Sequence, residues 1–324
     1  MSVWPSLLQF ALALALLLAA ARFFTSAAQR IGLAFGMSPF VVGVFIIAIG
    51  TSLPELVASL LSVQSGASEI VPGNVLGANA ANLLLNMGLV SALASGGRIV
   101  LGEEYLFIDL HFLMGAMLAV ATTMADGRIV AVEGALLLLA YALYMTYLVV
   151  EGRTPSAEAE HADAMSEVKQ RRASLARDAG ILVVTGVLIY VGGDMTVSAL
   201  QQVSLALGIS AAVASVTILS IGTTLPELAV SVTAARAGQA SMAVGNVLGS
   251  CVFNALAVAG AAGLASGSEG VEVIDTLRFF ALPFVCASAL LFYLLTQDKR
   301  ISRWEGMLFL ILFLLFMAKI GGLA

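Results

Sequence analysis

The sequence predicts an all-α polytopic membrane protein, with ten transmembrane helices arranged as two inverted five-helix repeats. Three observations carry this reading. The 324 residues are 60% hydrophobic and 11% charged, with mean hydropathy +1.02, whereas soluble domains run near half apolar and a quarter charged. Apolar runs of about 20 residues, the length that crosses a bilayer, recur along the chain. Finally, Gly50-Thr51-Ser52-Leu53-Pro54-Glu55 returns as Gly222-Thr223-Thr224-Leu225-Pro226-Glu227, a shift of 172 residues.

The expected spans lie near 5–27, 38–63, 70–96, 105–125 and 129–151, then 178–204, 210–235, 242–267, 276–296 and 303–321. The first run ends in small residues like a signal peptide. It has no basic residue before it, Arg22 being the first, so it reads as a span. One long polar stretch, Glu151 to Asp178, reads as a solvated connector whose Glu/Ala/Arg content allows some helix. The chain therefore divides into 1–151, a cytoplasmic connecting loop at 152–177, and 178–324. A loop of about 27 residues is too short for a regulatory domain. Cys251 and Cys286 both sit in apolar runs, where small buried thiols are expected rather than a disulfide or metal site.

The 172-residue shift holds at many anchors. Gly73-Asn74-Val75-Leu76-Gly77 matches Gly245-Asn246-Val247-Leu248-Gly249, Asn82 falls on Asn254, and Asp126, Arg128 and Glu133 fall on Asp298, Arg300 and Glu305. From Ser38 to Asn82 roughly two positions in five are identical without a gap. Repeats fix architecture, and this one is a duplication of a five-span unit. Because five is odd, the second unit enters the membrane from the opposite side. Inverted repeats are a signature of secondary transporters with sites at the repeat interface. With both termini outside, Arg30, Arg98, Arg153, Lys169, Arg177, Arg236 and Arg300 are among the many cytoplasmic basic residues, against Arg128, Arg278 and Lys319 outside. That asymmetry sets the orientation in the plasma (inner) membrane.

An acid inside a span is costly and marks function. Pro54 has no N–H for the carbonyl four residues back and crowds it. Carbonyls around Ala48 to Thr51 are therefore expected to be partly released, with hydroxyls of Thr51 and Ser52 and the carboxylate of Glu55 at the same level. The second unit offers the same set from Ser220 through Thr223 and Thr224 to Glu227. This inventory is all oxygen, the ligand type of hard cations such as calcium. Zinc or copper would call for His and Cys, and the two histidines, His111 and His161, read as incidental. Asn82 and Asn254 are candidate ligands, while Asn74 and Asn246 stand between helix packing and capping. Ser250 offers a hydroxyl that its counterpart Ala78 lacks. Glu103, Glu104, Glu133, Glu269, Glu272, Asp275 and Glu305 lie near span ends, and Asp109 and Asp194 read as capping or interfacial.

The doubled Pro-Glu motif with its following Gly-Asn motif resembles the α-repeats of the sodium/calcium exchangers in the cation/calcium antiporter superfamily, over nearly the whole chain. The resemblance implies a ten-helix fold in which the first and sixth spans slide across a fixed core. It implies that Glu55 and Glu227 bind calcium and share sodium, with Thr51 and Thr223 completing the calcium site. Backbone oxygens at Ala48 and Ser220, with Ser250, would serve flanking sodium sites. Asn82 and Asn254 would lie at the centre, and Ser52 and Thr224 would support the carboxylates. Potassium-dependent relatives carry an acid where Asn254 stands, so potassium co-transport is not expected. Ala78 replaces a common serine, which leaves the usual stoichiometry of three sodium ions per calcium open.

The expected partners are thus calcium, sodium and the lipid bilayer, with no nucleic acid and no cofactor beyond the transported ions. The oligomeric state is left open, a monomer included. A proton/calcium (or other cation) antiporter on the same fold is the alternative. The chain is not expected to be an enzyme, since no His-Glu-x-x-His motif and no Walker-type loop is present.

Overall fold

The structure is a computed structural model and describes residues 4–34, 42–93, 98–100, 109–151, 168–208, 216, 219–236 and 240–323. Apolar runs in lipid must satisfy their own backbone groups, and helices do so within one segment. In chain order they are α1 (Trp4–Ala34), α2 (Gly43–Thr51), α3 (Leu53–Gln64), α4 (Ile70–Leu93), α5 (Asp109–Met124), α6 (Ala131–Glu151), α7 (Val168–Leu207), α8 (Ser220–Arg236), α9 (residues 240–265), α10 (Leu277–Leu295) and α11 (Arg303–Leu323).

Among the described residues, stretches of six helices (α4, α6, α7, α9, α10 and α11) are long and apolar enough to cross a membrane. The bent pair α2–α3 makes a seventh if taken as one span. The protein is a multi-pass, all-α membrane protein. α7 begins at Val168, inside the stretch read as connector. Residues 152–167 with His161, residues 101–108 with Glu103 and Glu104, and most of 209–218 lie outside the described residues.

Short strands join the helical layers, an addition to the all-helical reading. They are β1 (Arg98–Val100), β2 (Arg128–Ile129), β3 (Val271–Glu272) and β4 (Arg300–Ser302). β1 pairs antiparallel with β4, placing Ile99 opposite Ile301, and β2 with β3, placing Ile129 opposite Val271. A shift of 172 turns Ile99 into Val271 and Ile129 into Ile301, so each ladder is the image of the other. The recurring anchors explain themselves here. Asp126 and Asp298 each accept the N–H two residues on at 3.2 Å, from Arg128 and Arg300, closing the turns before β2 and β4. Glu133 and Glu305 accept the N–H of Val130 and Ser302 at 2.9 and 2.6 Å, capping α6 and α11.

α1 and α7, of 31 and 40 residues, pack against each other. At one end Arg30 grips Asp178, with Nε 3.0 and 3.1 Å from the two carboxylate oxygens. At the other, Ser6 donates to Gln202 at 2.9 Å. The shift carries Arg30 to Gln202 and Ser6 to Asp178, so corresponding positions fasten both ends. α6 packs on the C-terminal part of α9, and α11 on the C-terminal part of α4. The core gathers on α4 and α9, where Val75, Leu76, Leu83, Val247, Leu248 and Val258 are fully buried. Leu118, Leu139, Val183 and Leu314 remain exposed on the outer helices, as a lipid-facing shell requires.

Candidate cation site

Pro54 sits at the start of α3, and α2 and α3 meet at a 45° bend across Ser52. A proline without an N–H is the physical cause of such a break. Glu55 therefore lies in the first turn of α3, where the helix N-terminus favours negative charge. Pro226 lies inside α8, Ser220–Arg236. α4 and α9 each carry a π-helical turn, Ala81–Asn86 and Phe253–Val258, again related by 172. Asn82 and Asn254 occupy the second position of these turns, and such turns gather at functional sites.

The structure buries all eleven predicted site residues: Ala48, Thr51, Ser52, Glu55, Asn82, Ser220, Thr223, Thr224, Glu227, Ser250 and Asn254. It also brings the halves together. Ser52 Oγ donates to Glu227 Oε1 at 2.9 Å. The hydroxyls of Thr51 and Ser250 lie beside the Glu227 carboxylate, and that of Thr223 lies beside Glu55. Thr224 takes a different partner from its counterpart Ser52, donating to Ser220 O at 2.6 Å. The Ala48 carbonyl is not released by Pro54: it accepts the Ser52 N–H at 3.0 Å. The carbonyls that the prolines deprive of an amide partner are those of Gly50 and Gly222, four residues earlier.

Asn74 and Asn246 resolve as latches. Asn74 Nδ2 donates to Glu55 O at 3.1 Å and Ser59 Oγ at 3.0 Å. Asn246 Nδ2 donates to Glu227 O at 3.3 Å and Ser231 Oγ at 2.9 Å. The Thr51 hydroxyl reaches Asn246 Oδ1 at 3.3 Å, linking the halves again. These amides hold each acid's main chain to the neighbouring helix.

Two further amides, Asn79 and Asn86, are fully buried beside Asn82 and escaped the sequence reading. Their spacing of three and four residues from Asn82 puts all three on one face of an apolar helix, which is the signal that could have found them. Asn86 Nδ2 reaches Asn82 Oδ1 at 3.5 Å.

Both oxygens of Glu55, Oε2 of Glu227, Oγ of Ser250 and both polar atoms of Asn254 are buried without a hydrogen-bond partner in the protein. Among the described residues no Lys, Arg or His is buried to offset the two glutamates. An uncompensated buried carboxylate is expensive, and a pair more so. The surrounding hydroxyls and amides are oxygen donors of the kind that hard cations take. His111 is exposed, and both cysteines are free thiols. Among the described residues, no three His, Cys, Asp or Glu cluster as a metal-holding group.

A buried acid pair amid oxygen donors, in a multi-pass helical protein, is the pattern of a cation transporter. The family described as sodium/calcium exchanger protein matches residues 5–150 and 178–320. An uncharacterized membrane protein of Methanocaldococcus jannaschii is 32% identical over 312 residues, covering 96% of each chain. The sodium/calcium exchanger MaX1 of Methanosarcina acetivorans is 28% identical, with 94% of this chain and 95% of that one covered. The solved structure of the sodium-calcium exchanger NCX_Mj soaked with sodium and strontium superposes with a TM-score of 0.71 at 28% identity, over 98% of this chain and 99% of that one. The chain belongs to the sodium/calcium exchanger family. It is a cation/calcium antiporter by family, a transporter rather than an enzyme.

Proposed function

We propose that this chain exchanges sodium for calcium by alternating access, on a shared site built from Glu55 and Glu227. The observation that carries the reading is the pair of fully buried carboxylates with no buried cationic side chain among the described residues. One calcium ion neutralises both acids, and sodium ions do the same by number. Either cargo discharges the site and lets it cross the membrane, whereas the bare acid pair cannot cross cheaply. Competition for the same two carboxylates thus enforces exchange.

The ten spans form two inverted five-helix repeats with both termini outside, in the plasma (inner) membrane. Three sets of contacts that map onto one another under the 172-residue shift support this arrangement: the strand ladders, the Asn74 and Asn246 latches, and the two fastened ends of α1 and α7. β1 with β4 and β2 with β3 also join loops that the inverted topology assigns to the same side. α1 and α7 form the sliding pair, and α4 and α9 form the fixed core. Thr51 and Thr223 complete the calcium site, Asn82 and Asn254 line its centre, and Ser52 and Thr224 support the carboxylates. The carbonyls of Ala48 and Ser220, with Ser250, serve the flanking sodium sites. If three sodium ions move per calcium, one net charge crosses per cycle, worth about 2.3 kcal/mol per 100 mV.

The test is radioactive calcium uptake into proteoliposomes under sodium, proton or potassium gradients. Uptake driven by an outward sodium gradient, lost in Glu55→Gln and in Glu227→Gln, is the expected result. Uptake driven by a pH gradient without sodium, or robust sodium-driven uptake in either variant, would overturn the reading.

A further inference from the structure

Two helix crossings each bring a glycine against a neighbouring backbone. Both serines of this pattern lie in the second half, on different helices, while the first half has Ala48 and Ala78 at the corresponding positions. A Cβ on Gly249 of α9 would fall 2.8 Å from Ala48 Cβ and 2.7 Å from Val44 O. A Cβ on Gly77 of α4 would fall 2.5 Å from Ser220 Oγ and 2.7 Å from Val216 O. The shift of 172 carries Gly77 to Gly249, Val44 to Val216 and Ala48 to Ser220, so these are the same crossing made twice.

The residue after each glycine differs. Ser250 follows Gly249 and belongs with Ala48, whereas Ala78 follows Gly77 and belongs with Ser220. Each crossing therefore holds one serine and one alanine, with the serine on α9 in one and on α8 in the other. All four residues are fully buried. Ser250 Oγ has no protein partner. Ser220 Oγ donates its hydrogen to the Val216 carbonyl, one turn back. That bond uses the hydrogen and leaves the oxygen lone pairs for a cation.

We propose that the Ser220 hydroxyl is the sodium ligand of the flank that has Ala78, replacing from α8 the oxygen that Ser250 supplies from α9 on the other flank. Each flank then offers a serine hydroxyl and a threonine (Thr51 or Thr223) around one glutamate, and both flanks hold sodium. The proposal rests on the sodium/calcium reading above. It extends that reading by giving Ser220 a side-chain role and by making the Ala78 exchange a compensated one. Two sodium-binding flanks preserve the capacity for more than two sodium ions per calcium.

The experiment compares sodium-driven calcium uptake, and calcium–calcium exchange, in proteoliposomes of the wild-type chain, Ser220→Ala, and the double variant Ala78→Ser/Ser220→Ala. Absence of sodium-driven exchange in the wild-type chain would defeat the underlying reading before any variant is measured. Given that exchange, Ser220→Ala should raise the half-saturating sodium concentration about tenfold, the effect of a ligand worth about 1.4 kcal/mol. It should also lower the sodium Hill coefficient, while the half-saturating calcium concentration shifts much less. Moving the hydroxyl to α4 in the double variant should return sodium dependence close to wild type, including when Ser220→Ala alone fails to fold. Unchanged sodium dependence in Ser220→Ala, a double variant no better than the single, or loss of calcium–calcium exchange in both would each overturn the proposal.

Discussion

Ser52 donates to Glu227 across the two halves at 2.9 Å, and its counterpart Thr224 turns to Ser220 O instead. The pair of acids is therefore held asymmetrically, with Glu227 oriented from the opposite half. Groups that orient a metal-binding carboxylate typically matter by 10–100-fold in affinity. Ser52→Ala should raise the calcium concentration for half-maximal uptake about tenfold or more on that basis. Thr224→Ala should shift it less. Equal effects in calcium-dependence curves of the two purified variants would remove the assigned asymmetry.

Asn246 stabilises the site through fold. Its amide bonds the Glu227 carbonyl and the Ser231 hydroxyl and faces Thr51 from the other half. Asn246→Ala leaves buried groups unpaired, at about 1–3 kcal/mol each. A marked fall in melting temperature in detergent is expected, with a smaller fall for Asn74→Ala, whose Oδ1 has no partner to lose. Thermal unfolding followed by intrinsic fluorescence or aggregation decides it.

Two glycines, one at a crossing and one in open space, give predictions of opposite sign. Gly249→Ala places a methyl 2.7 Å from the Val44 carbonyl, a backbone atom that cannot step aside. That variant should lose transport and express poorly. Gly115, in the middle of α5, has nothing within 4 Å of an added Cβ. There the smaller entropy loss of alanine should stabilise the helix by roughly 0.5–1 kcal/mol. Paired melting curves of the two variants check both signs at once.

The Arg30–Asp178 clasp should be modest. Asp178 is nearly buried, but the arginine side chain is 52% exposed, so solvent and salt screen the pair. A double-mutant cycle of Arg30→Ala and Asp178→Ala should give a coupling of at most about 1 kcal/mol, shrinking with added salt. A coupling insensitive to salt would mean the pair is not screened as its exposure implies.

Much of the candidate site was legible because its pattern is local: a proline before an acid in an apolar run, met twice at one spacing. The shift of 172 residues also carried Asn82 to Asn254 and flagged Asp126, Arg128 and Glu133 as repeated. Their jobs in turns, ladders and caps depend on the fold and could not be read from spacing. Asn79 and Asn86 escaped because Asn79 aligns with Cys251 and Asn86 with Val258, so the repeat gave no prompt. The Ala48 carbonyl was misjudged in one respect. Proline deprives the carbonyl four residues back, at Gly50, and the Ser52 amide still reaches Ala48. The π-helical turns of α4 and α9 had no sequence cue either, since such turns come from packing against neighbours rather than from residue type.

Those turns carry a date. Each holds one more residue than an α-helical path would need, and the two sit at the same register in their halves. Under the duplication that the 172-residue shift implies, one insertion before doubling accounts for both, whereas two separate events at one position would be needed after it.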